Sequence, residues 1–362
     1  MQKNKRIITS SDAILEATEQ YLKKHQNFVV IGEGVSDPKG IFGTTLNLQK
    51  KFGNQRIIES PISENGMTGI SIGLSMNSFK VLLIHQRVEF ALLSLEQIFN
   101  NAAKSFYITN GVHNIPIVIR MIIGRGWGQG PAHSQSLETI FSYIPGLKVL
   151  MPSSPFDAKG MLWSALEDPN PVLILEHRWF HYTTGNVPKA SFKVNIDKPI
   201  ILKKGKHLTI VANSYNVSEA LICAKLFEKF GISLEIIDLR VLRPLNLESI
   251  KKSLKKTSNL LIIETGFKQY GIGAEIISQI AEDQSISLSE KSVSRIGLPD
   301  IPTPSSRALA KNYYLSSNEM IFQIAKLLKL DLKLKKKITS YYQKNFSFSE
   351  TDVPNPKFKG PF

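Results

Sequence analysis

Short apolar runs alternate with helical patterns through the first 180 residues of the chain. The runs are rich in valine, isoleucine and leucine and lie at residues 28–31, 81–84, 115–119, 148–151 and 172–175. A strand that is apolar on both faces is typical of a parallel sheet covered by helices on both sides. The pattern therefore predicts a doubly wound α/β domain over residues 1–180. Its longest helix is expected over residues 90–108, with apolar side chains along one face.

A second, smaller α/β domain is predicted over residues 201–330. Residues 181–200 contain turn-forming residues and two prolines, which are typical of a linker. Beyond them the alternation resumes, with strands at residues 208–212, 234–237 and 260–263 and a helix over residues 217–230. Gly231 is expected to end that helix as its C-cap residue.

Residues 331–362 differ from both domains and form a basic, aromatic tail. Lysines are concentrated near its start, while Pro354, Pro356 and Pro361 exclude regular structure near its end. Its tyrosines and phenylalanines are more frequent than in disordered segments. We therefore expect an irregular tail that lies on the body of the protein or on a partner.

Composition excludes several classes of protein. The chain has 362 residues, of which 42% are apolar and 21% charged, as in globular proteins. Its net charge of +15 suggests nucleic acid, but the lysines lie on helix faces and in the tail without interleaved stacking aromatics. We therefore expect no nucleic-acid ligand. No apolar run is long enough to span a membrane, and the single cysteine, Cys223, fits a reducing compartment such as the cytoplasm.

Glu64 lies at the junction between a strand and a helix. A strand-like run at residues 56–59 precedes it, and a helix of small residues at 69–76 follows it. Open α/β sheets bind ligands at such junctions, where a carboxylate can hold a ring nitrogen of a cofactor. The alternative is a carboxylate that favours the positive end of the helix dipole.

His133 follows a glycine-rich loop at residues 124–130. The loop is neither a Walker motif nor a dinucleotide-binding fingerprint, because the spacing of its glycines fits neither. Its glycines are expected to allow a close, mobile approach to substrate. His133 could then act as an acid or base near neutral pH, or donate a hydrogen bond to a substrate carboxylate.

A series of short motifs, each weak alone, occurs in one order along the chain. They lie at residues 32–33, 40–45, 61–64, 97–104, 132–136, 145–149, 157–160 and 168–171. In this order the chain resembles the beta subunit of thiamin-diphosphate-dependent 2-oxoacid dehydrogenases, over about residues 10–325. The resemblance implies a pyrimidine-binding domain followed by a transketolase C-terminal-like domain.

The resemblance also implies roles for individual residues. Glu64 would promote the imino tautomer of the cofactor, and Phe90 would stack on its pyrimidine ring. His133 would face the reacting substrate and the lipoyl acceptor. Glu33 would belong to a buried acidic path between two active sites, or would be an ordinary carboxylate at the end of a strand.

A potassium site is implied in the same way at the turn after a helix of the first domain. Its ligands would come from Ala165, Leu166, Asp168 and Asn170. Oxygen ligands suit such a hard cation. An ordinary Asp-Pro turn is the alternative interpretation.

The chain lacks the Gly-Asp-Gly motif and following Asn that hold magnesium and diphosphate in this superfamily. The resemblance therefore implies that an alpha subunit binds the magnesium, in a heterotetramer of two alpha and two beta subunits. The small-residue helix at 66–76 would lie in the shared interface. A lipoyl acyltransferase component is a further possible partner.

The enzyme would decarboxylate a 2-oxoacid such as pyruvate and pass the acyl group to a lipoyl group or another acceptor, such as a sugar. The alternatives are the C-terminal half of a split transketolase and a non-catalytic assembly subunit. His85, Gln86 and Arg87 depart from the usual family pattern and put the usual substrates in doubt. Arg87 or Arg125 could pair with a carboxylate or phosphate.

Overall fold

The predicted alternation of strands and helices is present in the computed structural model, which describes residues 6–126 and 128–346. The strands are β1 Ile7–Thr9, β2 Phe28–Gly32, β3 Ile57–Glu59, β4 Lys80–His85, β5 Ile117–Ile123, β6 Lys148–Leu150, β7 Val172–His177, β8 Thr184–Asn186, β9 Ile200–Lys203, β10 Leu208–Ala212, β11 Leu234–Asp238, β12 Val241–Arg243, β13 Asn259–Phe267 and β14 Ser292–Leu298. The α-helices are α1 Ser10–Lys24, α2 Leu48–Phe52, α3 Glu64–Met76, α4 Val88–Ala91, α5 Ser105–Ile108, α6 Glu138–Ser142, α7 Pro155–Leu166, α8 Asn216–Glu228, α9 Glu248–Thr257, α10 Ile272–Ala281, α11 Arg307–Tyr313, α12 Ser317–Leu327 and α13 Leu332–Asn345.

The first domain is built on a sheet with the strand order β12-β6-β7-β5-β4-β2-β3. All neighbouring strands are parallel except β12, which pairs antiparallel with β6. Helices α1 and α7 cover one face of the sheet, and α3, α6 and the helical segment after β4 cover the other. The strands are buried on both faces, as their continuous apolar sequences predict. The doubly wound α/β class is confirmed.

The second domain contains a sheet in the order β14-β13-β10-β11-β9, in which only β9 runs antiparallel to its neighbour. Helices α8, α12 and α13 cover its outer face. Its inner face shares one apolar core with the first domain, because Met151 of the first domain and Leu239 and Leu242 of the second belong to one cluster. Strand β12 also completes the edge of the first sheet. The two domains are therefore joined by both core packing and strand pairing.

The helix expected over residues 90–108 is not one regular α-helix. Between α4 and α5 the chain makes a 3-10 turn at Leu92–Ser94 and a π-helical segment at Gln97–Ala102. The backbone keeps right-handed helical angles at the junctions, so the direction of the segment is preserved. Only the hydrogen-bond spacing changes. An apolar pattern has similar spacing in helices of slightly different pitch, so the sequence does not reveal this change.

The segment expected to be a linker lies along the first domain. Strand β8 pairs antiparallel with β1. Further along, Phe192 and Val194 cover Gly160 of α7 so closely that a Cβ atom there would lie 2.6 Å from a Val194 methyl carbon. Gly160 is therefore needed for close packing between α7 and this segment.

The expectation of an irregular tail is wrong for its first half, because Leu332–Asn345 forms helix α13. Asp331 caps the helix by accepting a hydrogen bond from the Leu334 amide at 2.7 Å. Ile338 and Tyr342 are buried against the second domain. The three prolines on which the expectation depended lie in residues 347–362, outside the described residues.

Cys223 and Gly231 lie in the surroundings that the sequence predicts for them. Cys223 is buried in α8, as a small apolar residue would be. Gly231 follows that helix with a φ of +75°, which suits a glycine C-cap. Among the described helices, none combines the length and apolar character needed to cross a bilayer.

A buried carboxyl group lies where the two domains meet. Asp238 at the end of β11 is fully buried and accepts a hydrogen bond from the hydroxyl of Ser153. Nearby, Arg240 forms an ion pair with Asp157. Burial, and then the charge of Asp157, raise the pKa of Asp238 to about 8. Asp238 is therefore mostly protonated at neutral pH.

We predict that Asp238→Asn reduces the dependence of stability on pH. A carboxyl whose pKa is raised by folding stabilises the native state below its unfolded pKa, and this contribution disappears as the pH rises through about 8. Asparagine resembles the protonated acid and does not titrate. The thermal midpoint of the wild type should therefore fall relative to that of the variant between about pH 5 and pH 9. Exposed Asp300→Asn serves as the control, and a constant difference across this range would contradict the assignment.

Candidate active site

The candidate site lies at the carboxyl edge of the first sheet. Strand β2 pairs with β3 on one side and with β4 on the other, so the chain changes direction at β2. Such a change leaves a crevice beyond the carboxyl ends of the strands. Glu33 follows β2, Glu64 follows β3 and Phe90 follows β4. The topology therefore brings these separated positions to one edge.

Glu64 is the first residue of α3 and is only 6% exposed. The preceding residue, Ser63, makes no side-chain cap of the helix. No hydrogen bond or ion pair from a described residue reaches the Glu64 carboxylate. Its backbone carbonyl accepts a hydrogen bond from the Thr68 hydroxyl at 2.7 Å, which fixes the start of the helix. A buried carboxylate without a protein partner is suited to a ligand that can share a proton with it.

Glu33 lies close enough to Glu64 for their charges to interact. Burial raises the pKa of Glu33, and the charges of Glu64 and Glu59 raise it further. One carboxylate oxygen of Glu33 is buried and has no hydrogen-bond partner among the described residues. Glu59 differs, because its carboxylate accepts hydrogen bonds from the amides of Gly34 at 2.5 Å and Ser36 at 2.8 Å. Glu59 therefore holds the loop after β2, whereas Glu33 and Glu64 form a pair of incompletely bonded carboxylates.

His85 ends β4 and is buried against α3. Its Nε2 atom lies 3.4 Å from the Thr68 hydroxyl, and its Nδ1 atom has no partner among the described residues. Burial lowers the pKa of His85 to about 4. At physiological pH His85 is therefore a neutral polar group. It lies beside Thr68, which is one helical turn along α3 from Glu64.

The rings of Phe90 and His133 meet edge to face, with their centres 5.3 Å apart. Both residues are partly exposed at the mouth of the crevice. The Gln135 amide donates to the Glu89 carboxylate at 2.6 Å and so ties the His133 loop to α4. Burial lowers the pKa of His133, and the positive charges of Arg87 and Arg178 lower it further. His133 is therefore neutral at pH 7 and able to accept a proton.

The glycine-rich loop makes its close approach to the second domain. A Cβ atom on Gly128 would lie 2.7 Å from the Ser305 carbonyl oxygen, and one on Gly130 would lie 2.2 Å from the Ser305 hydroxyl. Both glycines have positive φ angles. Arg178 braces the loop by donating to the Gln129 side chain at 2.5 Å and to the His133 carbonyl at 2.7 Å. Gly128 and Gly130 therefore allow the loop to pack closely against the backbone and side chain of Ser305 in the second domain. Trp127 lies outside the described residues.

A buried polar group behind the site was not expected from the sequence. Arg120 donates two hydrogen bonds to Glu176, at 2.6 and 2.7 Å, and His181 lies 2.7 Å from the same carboxylate. Burial alone would raise the pKa of Glu176, but Arg120 and His181 outweigh it and bring the pKa to about 2. The sequence contained one signal of this group: strands β5 and β7 each contain a charged residue among apolar ones, Arg120 in the first and Glu176 near the end of the second.

Phe42 connects this buried group to the crevice. Its ring stacks on His181 with ring centres 5.1 Å apart. The guanidinium carbon of Arg87 lies 5.6 Å from the centre of the same Phe42 ring. Phe42 has a φ of +51°, which is uncommon for a bulky residue. Packing on His181 therefore holds Phe42 in a strained conformation beside the candidate site.

The residues expected to hold potassium are engaged by protein cations. The Leu166 carbonyl accepts a hydrogen bond from the Lys80 ammonium at 2.7 Å. The Asp168 carboxylate forms an ion pair with Lys148 at 2.8 Å and also accepts from the Asn170 amide at 2.9 Å.

The remaining carbonyl, that of Ala165, accepts a hydrogen bond from the Asp168 amide at 3.1 Å. A potassium ion bound to these oxygens would lie close to two ammonium groups, and like charges at that distance repel. The set therefore does not fit a potassium ion, and the interpretation as an ordinary Asp-Pro turn is favoured.

One large cleft in the described structure is separate from the candidate site. It has a volume of about 1490 Å³ and lies between the first domain and the segment around β12. Its rim includes the exposed aromatic residues Tyr107, Tyr143 and Tyr270. The cleft is mainly apolar and contains none of the candidate catalytic residues.

Family models match both halves of the chain. The model described as "Transketolase, pyrimidine binding domain" matches residues 7–179. The model described as "Transketolase, C-terminal domain" matches residues 197–321.

Two relatives that are similar over most of the chain are both described as the beta subunit of the pyruvate dehydrogenase E1 component. The "Pyruvate dehydrogenase E1 component subunit beta, mitochondrial" of Bos taurus is 34% identical over 327 residues, which cover 89% of this chain and 91% of the relative. The "Pyruvate dehydrogenase E1 component subunit beta" of Porphyra purpurea is 37% identical over 313 residues, covering 86% and 93%.

A solved structure supports the fold independently. The protein titled "Split gene transketolase, inactive beta4 tetramer" is similar with a TM-score of 0.69, covering 89% of this chain and 99% of that chain. Its sequence identity of 21% is too low to support more than the shared fold.

We predict that potassium does not stabilise this chain specifically. A bound ion at a concentration of 100 times its Kd would add about 2.7 kcal/mol to the free energy of unfolding and would raise the thermal midpoint measurably. Exchange of potassium chloride for choline chloride at equal ionic strength should therefore leave the midpoint unchanged. Lys148→Met provides the comparison, because it removes the ammonium from Asp168 and should lower the midpoint in both salts. Specific stabilisation of the wild type by potassium would contradict this assignment.

Proposed function

Because the chain belongs to the family of pyruvate dehydrogenase E1 beta subunits, we propose that it is the beta subunit of a thiamin-diphosphate-dependent 2-oxoacid dehydrogenase. In this proposal it decarboxylates a 2-oxoacid such as pyruvate and transfers the acyl group to a lipoyl group or another acceptor. The observation that carries the proposal is the buried Glu64 carboxylate beside Glu33 at the sheet edge.

The residues at this edge fit the pyrimidine end of the cofactor. The Glu64 carboxylate has no described protein partner, and Glu33 has an unbonded buried oxygen nearby. Phe90, on α4, offers a partly exposed aromatic ring at the same edge of the sheet. When bound, thiamin diphosphate supplies a nucleophilic carbon that stabilises the electron pair released by loss of carbon dioxide.

Each residue has a role that its surroundings support. Glu64 exchanges a proton with a ring nitrogen, because its carboxylate is buried and otherwise unbonded. Phe90 packs against the ring and excludes water from it. Glu33 holds a proton to higher pH than an exposed glutamate and supports proton sharing with Glu64. His133, neutral at the mouth, accepts or returns a proton on the substrate or acceptor.

An alpha subunit is proposed to complete the site and to bind the magnesium and diphosphate. Support comes from the outer face of α3, where Gly66, Gly69 and Gly73 follow one another at helical spacing. A Cβ atom added to Gly73 would meet nothing within 4 Å. Ile70 on the same face is 64% exposed. An exposed face of glycines and an apolar side chain suits the close packing of a partner.

A heterotetramer needs a second contact surface on each chain. The apolar cleft with Tyr107, Tyr143 and Tyr270 on its rim supports such a surface, since these side chains are 89%, 81% and 83% exposed. The proposal also includes a lipoyl acyltransferase as acceptor component. A cytoplasmic location remains part of the proposal, although the bovine relative's name places that protein in mitochondria.

A split transketolase is the second candidate function, and the shared fold with a split-gene transketolase favours its consideration. Turnover of sugar phosphates without dependence on a lipoyl acceptor would support it. A non-catalytic assembly subunit is the third candidate. The buried Glu64 carboxylate and the unpartnered buried oxygen of Glu33 argue against it, because incompletely bonded buried carboxylates are costly unless they have a use.

We predict that Glu64→Gln lowers turnover of 2-oxoacid by about 10²–10⁴-fold, the range expected for loss of a group that transfers a proton. Glutamine keeps the shape of the side chain, so the thermal midpoint and binding of the alpha-like chain should be preserved. The measurement is steady-state decarboxylation by the co-purified complex, with exposed Glu282→Gln as the control. Wild-type activity in Glu64→Gln would remove Glu64 from the chemistry.

We predict that Gly73→Leu prevents assembly with the alpha-like chain while leaving this chain folded. The free chain has space for the new side chain, and leucine favours the helix more than glycine does. Calorimetric titration with thiamin diphosphate and magnesium should show binding to the wild-type complex but not to this chain alone or to the variant. Lys252→Leu, on the exposed side of α9, is the matched control. Tight binding to the isolated chain would refute the shared site.

A further inference from the structure

Arg87 is a buried cation at the mouth of the candidate site. It lies between β4 and α4, two residues after the end of β4, and is 9% exposed. Its guanidinium donates to the backbone carbonyl of Gln86 at 2.8 Å, and its Nε atom has no partner among the described residues. Burial lowers the pKa of His133 and the charge of Arg87 lowers it further, so the guanidinium lies within electrostatic range of that ring.

Arg87 has no carboxylate partner within ion-pair distance among the described residues. Glu89 contributes a favourable charge, but its carboxylate accepts a hydrogen bond from the Gln135 amide at 2.6 Å. A buried guanidinium that lacks an anionic partner costs free energy in the folded protein. An anionic group of a ligand would offset this cost and could accept a hydrogen bond from the unpartnered Nε–H of Arg87.

The position of Arg87 is supported from behind. Its guanidinium lies over the ring of Phe42, with 5.6 Å between the guanidinium carbon and the ring centre. Phe42 stacks in turn on His181, which is bonded to the buried Glu176. His181, the strained Phe42 and the Arg87 guanidinium therefore pack in sequence, one against the next. The fold therefore holds the cation in one place instead of leaving it to move in solvent.

The other polar groups near Arg87 do not duplicate its charge. His85 is neutral, because burial lowers its pKa to about 4. Arg178 already donates to the Gln129 side chain and the His133 carbonyl. Arg87 is therefore the cation that is best placed to bind an anionic group of a ligand beside Phe90 and His133.

We propose that Arg87 binds a second acid group of the substrate, remote from the carboxylate that is lost, and that the substrate is a 2-oxo dicarboxylic acid. This inference rests on the proposed function, since it names the class of 2-oxoacid that the same site takes. A terminal carboxylate is retained through the reaction, so its ion pair with Arg87 contributes both to binding and to orientation. Pyruvate has no such group.

The first test compares two ligands of the same shape in the wild-type complex with thiamin diphosphate and magnesium. The substrates are 2-oxoglutarate and 5-methyl-2-oxohexanoate, whose branched end resembles a carboxylate without its charge. Calorimetry measures the affinities of glutarate and 5-methylhexanoate, a second pair of the same shape. Both lack the 2-oxo group and are therefore not decarboxylated. We expect kcat/KM and affinity to favour the diacid by about 10- to 100-fold, the range for a hydrogen bond to a charged group.

The second test uses Arg87→Met and Arg87→Lys. Methionine should reduce the preference for the diacid by about 10- to 100-fold, mainly through KM, and lysine should restore part of it. Thermal midpoints identify variants that fail to fold, and Lys252→Met is the control for loss of a positive charge. Equal preference for the two ligands in the wild type, or equal losses for both in Arg87→Met, would overturn the proposal.

The two proposals fail in different ways. If the complex decarboxylates no 2-oxoacid, pyruvate included, the proposed function is refuted. The comparison of glutarate with 5-methylhexanoate needs no turnover and still decides whether Arg87 recognises an acid group. If pyruvate is decarboxylated and the diacid is not preferred, the proposed function stands and the role of Arg87 is refuted.

Discussion

The parallel pairing of β2 with β3 on one side and β4 on the other is the constraint on which the site depends. It directs the carboxyl ends of three strands to one edge, so that Glu33, Glu64 and Phe90 meet although they are far apart in sequence. The side chain of Gln86 donates to the Glu33 carbonyl at 3.0 Å and fixes the ends of β2 and β4 relative to each other. A shift of either strand would separate the carboxylates from the aromatic surface.

Charge at this edge is divided between two regions. Glu33 and Glu64 form an acidic region next to α3, where burial, and then the charges of Glu64 and Glu59, raise the pKa of Glu33. Arg87 and Arg178 form a basic region near His133, and their charges add to burial in lowering the pKa of that ring. A substrate whose reacting carbon lies between the regions would meet buried carboxylates on one side and a cation on the other. This separation is the physical basis for both the proposed decarboxylation and the proposed recognition of a second acid group.

The surfaces of the chain agree with a protein that works in an assembly. The glycine-bearing face of α3 and the apolar cleft near β12 are on different parts of the first domain, and both expose apolar side chains. The carboxylate of Glu64 lies on the inner side of α3, directly behind the first of these surfaces. A partner that packs on α3 would therefore also close the crevice and lower its exposure to water, which strengthens charge interactions within it.

The sequence by itself determined the alternation of elements, because strands buried on both faces must be apolar throughout and helices between them must be amphipathic. It also made Glu64, at a strand-to-helix junction, and His133, after a glycine-rich loop, candidates for the site, whereas Phe90 became a candidate only through the family resemblance. Tertiary structure decided what no local pattern contains: that Arg120 and Glu176 pair across β5 and β7, that Phe42 rests on His181, and that Lys80 and Lys148 engage the oxygens expected to hold potassium. These contacts join residues from separate elements, and their partners are set by strand order and register, not by sequence spacing. Helix α13 was missed for a related reason, since its stability comes from burying Ile338 and Tyr342 on a domain that the local sequence does not show.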